Sequence, residues 1–289
     1  MSYQQYRPSS FSILPPVVKN LLILNGLFYL ATMALKSQYK MDLADLLGLH
    51  FPLSEKFHPY QFITYMFMHG SFMHLFFNMF ALWMFGNVLE NYWGPKKFLI
   101  YYIITGIGAA LIHYAVVYFQ NLSTLEFVNA YIANPSLADF HDFISSDHIR
   151  GVSQEMVDHY NAIIPRTFNN ALMANNTEEA LRISADYMQI YKTDFLNAPV
   201  VIGASGSVFG ILLAFGMLFP NTLLYVYFAI PIKAKWFVMI YGALELFSGI
   251  YNMGGNVAHF AHLGGMIFGF LLLMFWKYQH RLRMRKFHE

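Results

Sequence analysis

The chain has 289 residues, of which 57% are hydrophobic, 18% aromatic and only 12% charged. Soluble domains carry about 25% charged residues, so an entirely soluble protein is excluded, and a formal net charge of +2 gives no reason to expect a nucleic-acid partner. The absence of cysteine removes disulfides and thiolate metal sites.

Residues 1–16, MSYQQYRPSSFSILPP, lack a basic stretch leading into a cleavable apolar core. They read as a cytoplasmic tail with no leader peptide. Long runs without Asp, Glu, Lys or Arg then predict six membrane spans, at 17–36, 64–89, 98–119, 200–219, 235–252 and 257–277. The predicted fold is all-α, a polytopic bundle of six transmembrane helices. Residues 17–119 hold the first three spans with an outer loop at 37–63, and 199–277 hold the last three. The uncharged stretch from Phe57 to Leu89 is too long for one straight span, so its start reads as an interfacial loop. Pro220 and Pro231 break the apolar run between spans four and five into a short, partly extended connection.

Residues 120–198 differ in kind. They hold ten of the sixteen acidic residues and four of the eighteen basic ones, which reads as a water-soluble insertion on the outer face. Thr177-Glu178-Glu179-Ala180 marks a helix start, with acids where the macrodipole favours them. Leu181, Ala185, Met188 and Tyr191 follow at helical spacing. His141, His148 and His159 read as scattered surface residues, and no metal is assigned to them. The tail at 278–289 is basic. Lys and Arg concentrate on the side that holds both termini, which places both termini in the cytoplasm and the tail against membrane lipid.

Polar residues inside spans are the candidates for chemistry. In Gly203-Ala204-Ser205-Gly206 the serine lies near the start of a helix expected to begin at Pro199, where backbone N–H groups lack intrahelical partners. Taken alone it reads first as packing, because Gly206, Gly210 and Ala214 form a small-residue face. His262 leads His-x-x-Gly-x-x-x-Gly, so Gly265 and Gly269 share its helix face. Packing that stripe against Gly206 and Gly210 would bring His262 beside Ser205. His259, one turn earlier, reads as a supporting residue. His74 and Asn78 share a face of the second span and offer N–H donors to an oxyanion, whereas His69 points elsewhere. Glu90 and Glu245 read as structural hydrogen-bonding groups.

Depth couples these groups. Spans two, four and six run in the same direction, and Ser205 and His262 each lie about 9 Å into theirs at helical rise. A serine, a histidine and oxyanion donors in the outer half of the membrane are the parts of an acyl-transfer site. No Asp or Glu is expected at this level, so the base would act in a Ser–His dyad.

These motifs resemble the rhomboid intramembrane serine proteases. The resemblance rests on His69-x4-His74-x3-Asn78, Gly203-Ala204-Ser205-Gly206, His262-x2-Gly265-x3-Gly269, and Trp83-x-Phe85-Gly86 leading to Glu90. It implies that Ser205 is the nucleophile and His262 its general base and acid. His74, Asn78 and the Ser205 backbone N–H would form the oxyanion hole. His69 would support the site, Gly203 and Ala204 would shape the loop, and Phe209 would stack on the histidine. The substrates implied are transmembrane proteins cut in or next to their membrane segment, with no cofactor, and the location implied is a bacterial inner membrane. Tyr60-Gln61 stands where many relatives have Trp-Arg, which puts the usual contacts of the first outer loop in doubt. The alternatives are a catalytically silent rhomboid-like protein that escorts membrane clients, and a proton-coupled transporter, whose broken helices and internal repeat the sequence lacks.

Overall fold

A computed structural model describes residues 11–145, 152–226, 229–251 and 258–286. The main elements are α1 (Pro16–Tyr39), β1 (Leu49–His50), α2 (Phe72–Trp93), α3 (Pro95–Ala133), α4 (Leu137–Ser145), α5 (Gln154–Ile163) and α6 (Thr177–Asn197). They are followed by β2 (Val200–Val201), α7 (Ser205–Leu218), β3 (Leu223–Val226), β4 (Ile230–Lys233), α8 (Ala234–Ile250) and α9 (His259–Lys286). By contacts the chain divides into two compact units. The first is Met1–Gly48, Phe62–His113 and Ile202–Glu289, and the second is Leu49–Gln61 and Tyr114–Val201.

The first unit is a bundle of apolar helices. Among the described residues, four helices are long and apolar enough to cross a membrane: Pro16–Tyr39, Phe72–Trp93, Pro95–Ala133 and His259–Met284. Ser205–Leu218 is a shorter apolar helix, and α8 has 17 residues. The protein is therefore an all-α, multi-pass membrane protein. Leu24, Leu27 and Leu30 of α1 and Met239, Ile240 and Leu244 of α8 are exposed, as lipid-facing side chains are. The helix α7 is the central one, and Gly206 through Leu212 are all buried.

Glycines set how closely the neighbours approach. A β-carbon on Gly265 would lie 1.9 Å from the Gly206 carbonyl oxygen, and one on Gly269 would lie 3.4 Å from Gly210 Cα. Both numbers rise together, so α7 and α9 run parallel. Gly206 meets Ala109 and Gly210 meets Thr105, so α3 runs antiparallel to α7. Hydroxyls tie the same helices together: Tyr101 donates to the Gly210 carbonyl at 2.8 Å, and Ser207 to the Tyr102 carbonyl at 2.8 Å.

Two helix starts differ from the expected spans. The second crossing does not run unbroken from residue 64, because a short 3₁₀ turn at Tyr65–Phe67 and a loop precede α2. Ser71 then starts α2 at Phe72, its hydroxyl accepting from the His74 N–H at 3.1 Å. The fourth helix starts at Ser205 rather than near Pro199. Val200–Val201 is instead extended and pairs antiparallel with Leu49–His50. The helix expected at 98–119 continues unbroken to Ala133. No proline interrupts it until Pro135, which disfavours a helical residue 134. Between α7 and α8 the chain forms the β3–β4 hairpin, with Leu223 opposite Lys233.

The second unit has its own core. Phe140 packs edge-on against Phe168 at 4.9 Å, and Phe143 against Tyr191 at 4.9 Å. Asn176 caps α6 by accepting from the Glu179 N–H at 3.2 Å. The buried stripe of α6 is Ala180, Ile183, Ser184, Tyr187, Met188, Tyr191 and Phe195, which leaves Leu181 and Ala185 at its edge. Gln61 is fully buried and organises the outer loop. Its side-chain oxygen accepts from the His58 N–H at 3.0 Å, and its amide donates to the Lys56 carbonyl at 3.0 Å. His148 lies outside the described residues.

Candidate active site

Ser205, His74 and His262 all lie within the first four residues of their helices. A helix N-terminus has backbone N–H groups without intrahelical partners and carries a partial positive charge. Three such ends gathered in one bundle suit an anion that forms during a reaction. Ser205 is half-buried, and its neighbours Gly203, Ala204, Gly206 and Ser207 are buried. Ala204 precedes the helix, and its carbonyl accepts from the Val208 N–H at 3.0 Å.

The loop before Ser205 is fixed from behind. The Gly203 N–H donates to the Tyr65 carbonyl at 2.9 Å, and the Tyr65 hydroxyl donates to the Gly106 carbonyl at 2.7 Å. Gly203 has a φ of +120°, in the left-handed region that glycine alone enters without strain. A β-carbon there would sit 2.7 Å from His74 Nε2 and 3.7 Å from Ser205 Oγ. The serine oxygen and the His74 ring nitrogen thus flank one small space that a side chain would fill.

Asn78 lies one turn beyond His74 and is buried, and its amide Nδ2 has no hydrogen-bond partner. A buried donor left unpaired costs about 1–3 kcal/mol. His69 stands in the loop before α2, edge-on to His74 with ring centroids 4.9 Å apart. It is buried, and its ring contact with His74 is what ties it to the cluster.

His262 is buried and held from two sides. Phe209 lies face to face with it, ring centroids 4.2 Å apart and planes 5° from parallel. Its Nδ1 lies 2.8 Å from Glu245 Oε2, and the same oxygen lies 2.7 Å from His259 Nδ1. The expectation of no acid at this level is therefore corrected: Glu245 is in direct contact with the histidine. The neighbours on α8 and α9 are Gly242 with Met266 and Gly249 with Phe260, so the two helices are antiparallel. Glu245 stands five residues before the end of α8, and His262 is the fourth residue of α9. Counting back from their shared connection puts the two at nearly one level. Counting from the middle of a span loses that.

Glu90 stands apart from this cluster. Its two carboxylate oxygens accept from the Val17 and Val18 N–H groups at 2.9 and 2.8 Å, capping the first turn of α1. Trp83 donates to the Ile13 carbonyl at 3.2 Å, and Gly86 lies under Val18 and Phe98.

No curated protein matches the chain. The Rhomboid domain family matches residues 56–125 and 179–279, more than half of the sequence and all of the cluster just described. The chain belongs to the rhomboid family.

Proposed function

We propose that this protein is an intramembrane serine endopeptidase that cleaves membrane-anchored proteins in or next to their transmembrane segment. Membership in a family whose members are generally serine intramembrane proteases supports that class of activity. The observation that carries the assignment to residues is the space over Gly203. Ser205 Oγ and His74 Nε2 both border it, and it lies at the N-terminus of α7.

In this reading His262 takes the Ser205 hydroxyl proton as the oxygen attacks the scissile carbonyl carbon. The carbonyl oxygen becomes an oxyanion, accepting hydrogen bonds from the Ser205 backbone N–H, His74 and Asn78. Collapse expels the amine, which takes the proton from His262, and leaves an acyl-enzyme. A water, deprotonated by the same histidine, hydrolyses that ester and restores Ser205. No step needs a metal or a cofactor. At 14 residues, α7 spans about 21 Å of a hydrocarbon core about 30 Å thick. With its far end at the inner face, the nucleophile sits below the outer surface, and water must enter from there. The excess of Lys and Arg in the segments on the side of the termini supports an orientation with both termini cytoplasmic.

The test is cleavage of a transmembrane model substrate by the purified protein in detergent, with a fluorophosphonate label as a second readout. Cleavage and labelling are expected for the wild type and are lost in Ser205→Ala, and cleavage is lost in His262→Ala. Ser207→Ala is expected to retain both. If the wild type neither cleaves nor labels, the silent rhomboid-like role is the correct one.

A further inference from the structure

A carboxylate in a membrane helix is expensive to bury and needs partners. Glu245 is 7% exposed. It lies on the face of α8 that carries Gly242 and Gly249, three residues before it and four after. Those glycines let α9 come close: β-carbons on them would already be 3.1 Å from Met266 Cε and from Phe260 Cζ. His259 and His262 are three apart and share the facing side of α9. The carboxylate therefore meets both rings at once, through one oxygen, at 2.7 and 2.8 Å.

We propose that Glu245 is the positioning residue of the site, an acid that holds His262 by its Nδ1 edge and is itself clamped by His259, so that the Nε2 edge is kept free to take the Ser205 proton. The proposal rests on the protease reading above. A hydrogen bond from Nδ1–H to a carboxylate fixes the imidazole tautomer, leaves Nε2 without a proton, and steadies the imidazolium that forms when Nε2 accepts one. Phe209 fixes the plane of the ring and Glu245 fixes its rotation within that plane. Only the Nε2 edge is left for chemistry. The same three side chains could be read as metal ligands, since their ligand atoms lie within 4.8 Å of one another. The separations of 2.7 and 2.8 Å argue for hydrogen bonds. Ligand atoms around a tetrahedral zinc stand about 3.3 Å apart.

Three measurements on the full-length protein in detergent test this. The first is steady-state cleavage by Glu245→Gln, with KM and kcat separated and thermal unfolding recorded. A fall in kcat of about 100-fold with KM within about twofold is expected, as the variant keeps the shape and loses the charge. A kcat equal to wild type overturns the proposal. The second is the nitrogen-15 histidine spectrum of the wild type, with His262 assigned by its loss in His262→Asn. The Nδ1–H tautomer is expected, and the Nε2–H tautomer overturns the proposal even if Glu245→Gln fails to fold. The third is chelation. Activity abolished by EDTA and restored by zinc would make the cluster a metal site and also overturn it. A wild type that shows the Nδ1–H tautomer but neither cleaves nor labels refutes the protease reading while leaving the Glu245–His262 bond in place.

Discussion

His262 and Phe209 lie almost parallel, 4.2 Å apart, on two parallel helices. Phe209 is one turn after Ser205 on α7, so the helix that carries the proposed nucleophile also presents the wall against which the histidine rests. Tyr241 flanks the same phenylalanine at 5.0 Å. Ring stacking contributes about 0.5–1.5 kcal/mol beyond burial. Phe209→Ala is therefore expected to lower kcat by about threefold to tenfold. Phe209→Tyr should stay near wild type. Kinetics on a transmembrane substrate checks both, and a Phe209→Ala enzyme with wild-type kcat would show that the ring alignment carries no catalytic weight.

The closest approach of α7 and α9 is backbone to backbone. A β-carbon at Gly265 would lie 1.9 Å from the Gly206 carbonyl oxygen, and backbone, unlike a side-chain tip, cannot swing aside. Gly265→Ala must push α7 and α9 apart, the helices that carry Ser205 and His262. Loss of detectable cleavage and a lower unfolding temperature are expected. Gly26 is the matching control, because nothing lies within 4 Å of a β-carbon there. Gly26→Ala should leave activity unchanged and stability equal or slightly higher.

The membrane bundle is legible in the sequence because uncharged runs of helical length seldom occur outside membrane spans. The glycine spacing that lets α7 and α9 touch is legible for a similar reason: only backbone contact needs Gly at both 206 and 265. The points where helices begin are not. Residues 200–204 and 65–70 are as apolar as the helices they precede, so hydropathy runs straight through them. What stops the helix is local chemistry or a distant partner. Ser71 caps α2, Gly203 turns to positive φ, and Val200–Val201 pairs with a strand some 150 residues earlier. These starts matter, because they put Ser205 and His74 at helix ends instead of inside spans. A structural hydrogen bond for Glu245 is readable from its place in a span, but its partner is not. That partner follows only from the antiparallel packing of α8 and α9, which brings a residue near the end of one helix beside the start of the next. In the first outer loop, where Tyr60-Gln61 stands in place of Trp-Arg, Gln61 bonds the His58 and Lys56 backbone.

Gly203 combines two constraints that a substitution would break together. Its φ of +120° is strained for any residue with a β-carbon, at about 1–3 kcal/mol. The added carbon would also press on His74 Nε2 at 2.7 Å and fill the space beside Ser205. Gly203→Ala is expected to reduce cleavage by more than about 100-fold, the scale of losing an oxyanion donor. Fluorophosphonate labelling should fall with it, because the phosphonyl oxygen would need the same space. Normal labelling in a variant that still folds would place the oxyanion elsewhere.

Glu90 offers the contrasting case of a buried acid with a structural task. It is 2% exposed, and both oxygens are used, on Val17 and Val18 at the start of α1. Pro16 supplies no N–H of its own, so these are the first two donors of the helix, and the carboxylate also meets the positive end of its dipole. Glu90→Ala would orphan two donors, one of them buried, and is expected to destabilise the fold by about 2–4 kcal/mol. Glu90→Gln keeps one acceptor and should lose less. Unfolding temperature in detergent gives the order wild type, Glu90→Gln, Glu90→Ala. The fluorophosphonate labelling rate of the protein that remains folded should be unchanged in both, since neither touches Ser205 or His262. A labelling rate that fell in step with stability loss well below the unfolding temperature would instead tie the α1–α2 junction to the reactive serine.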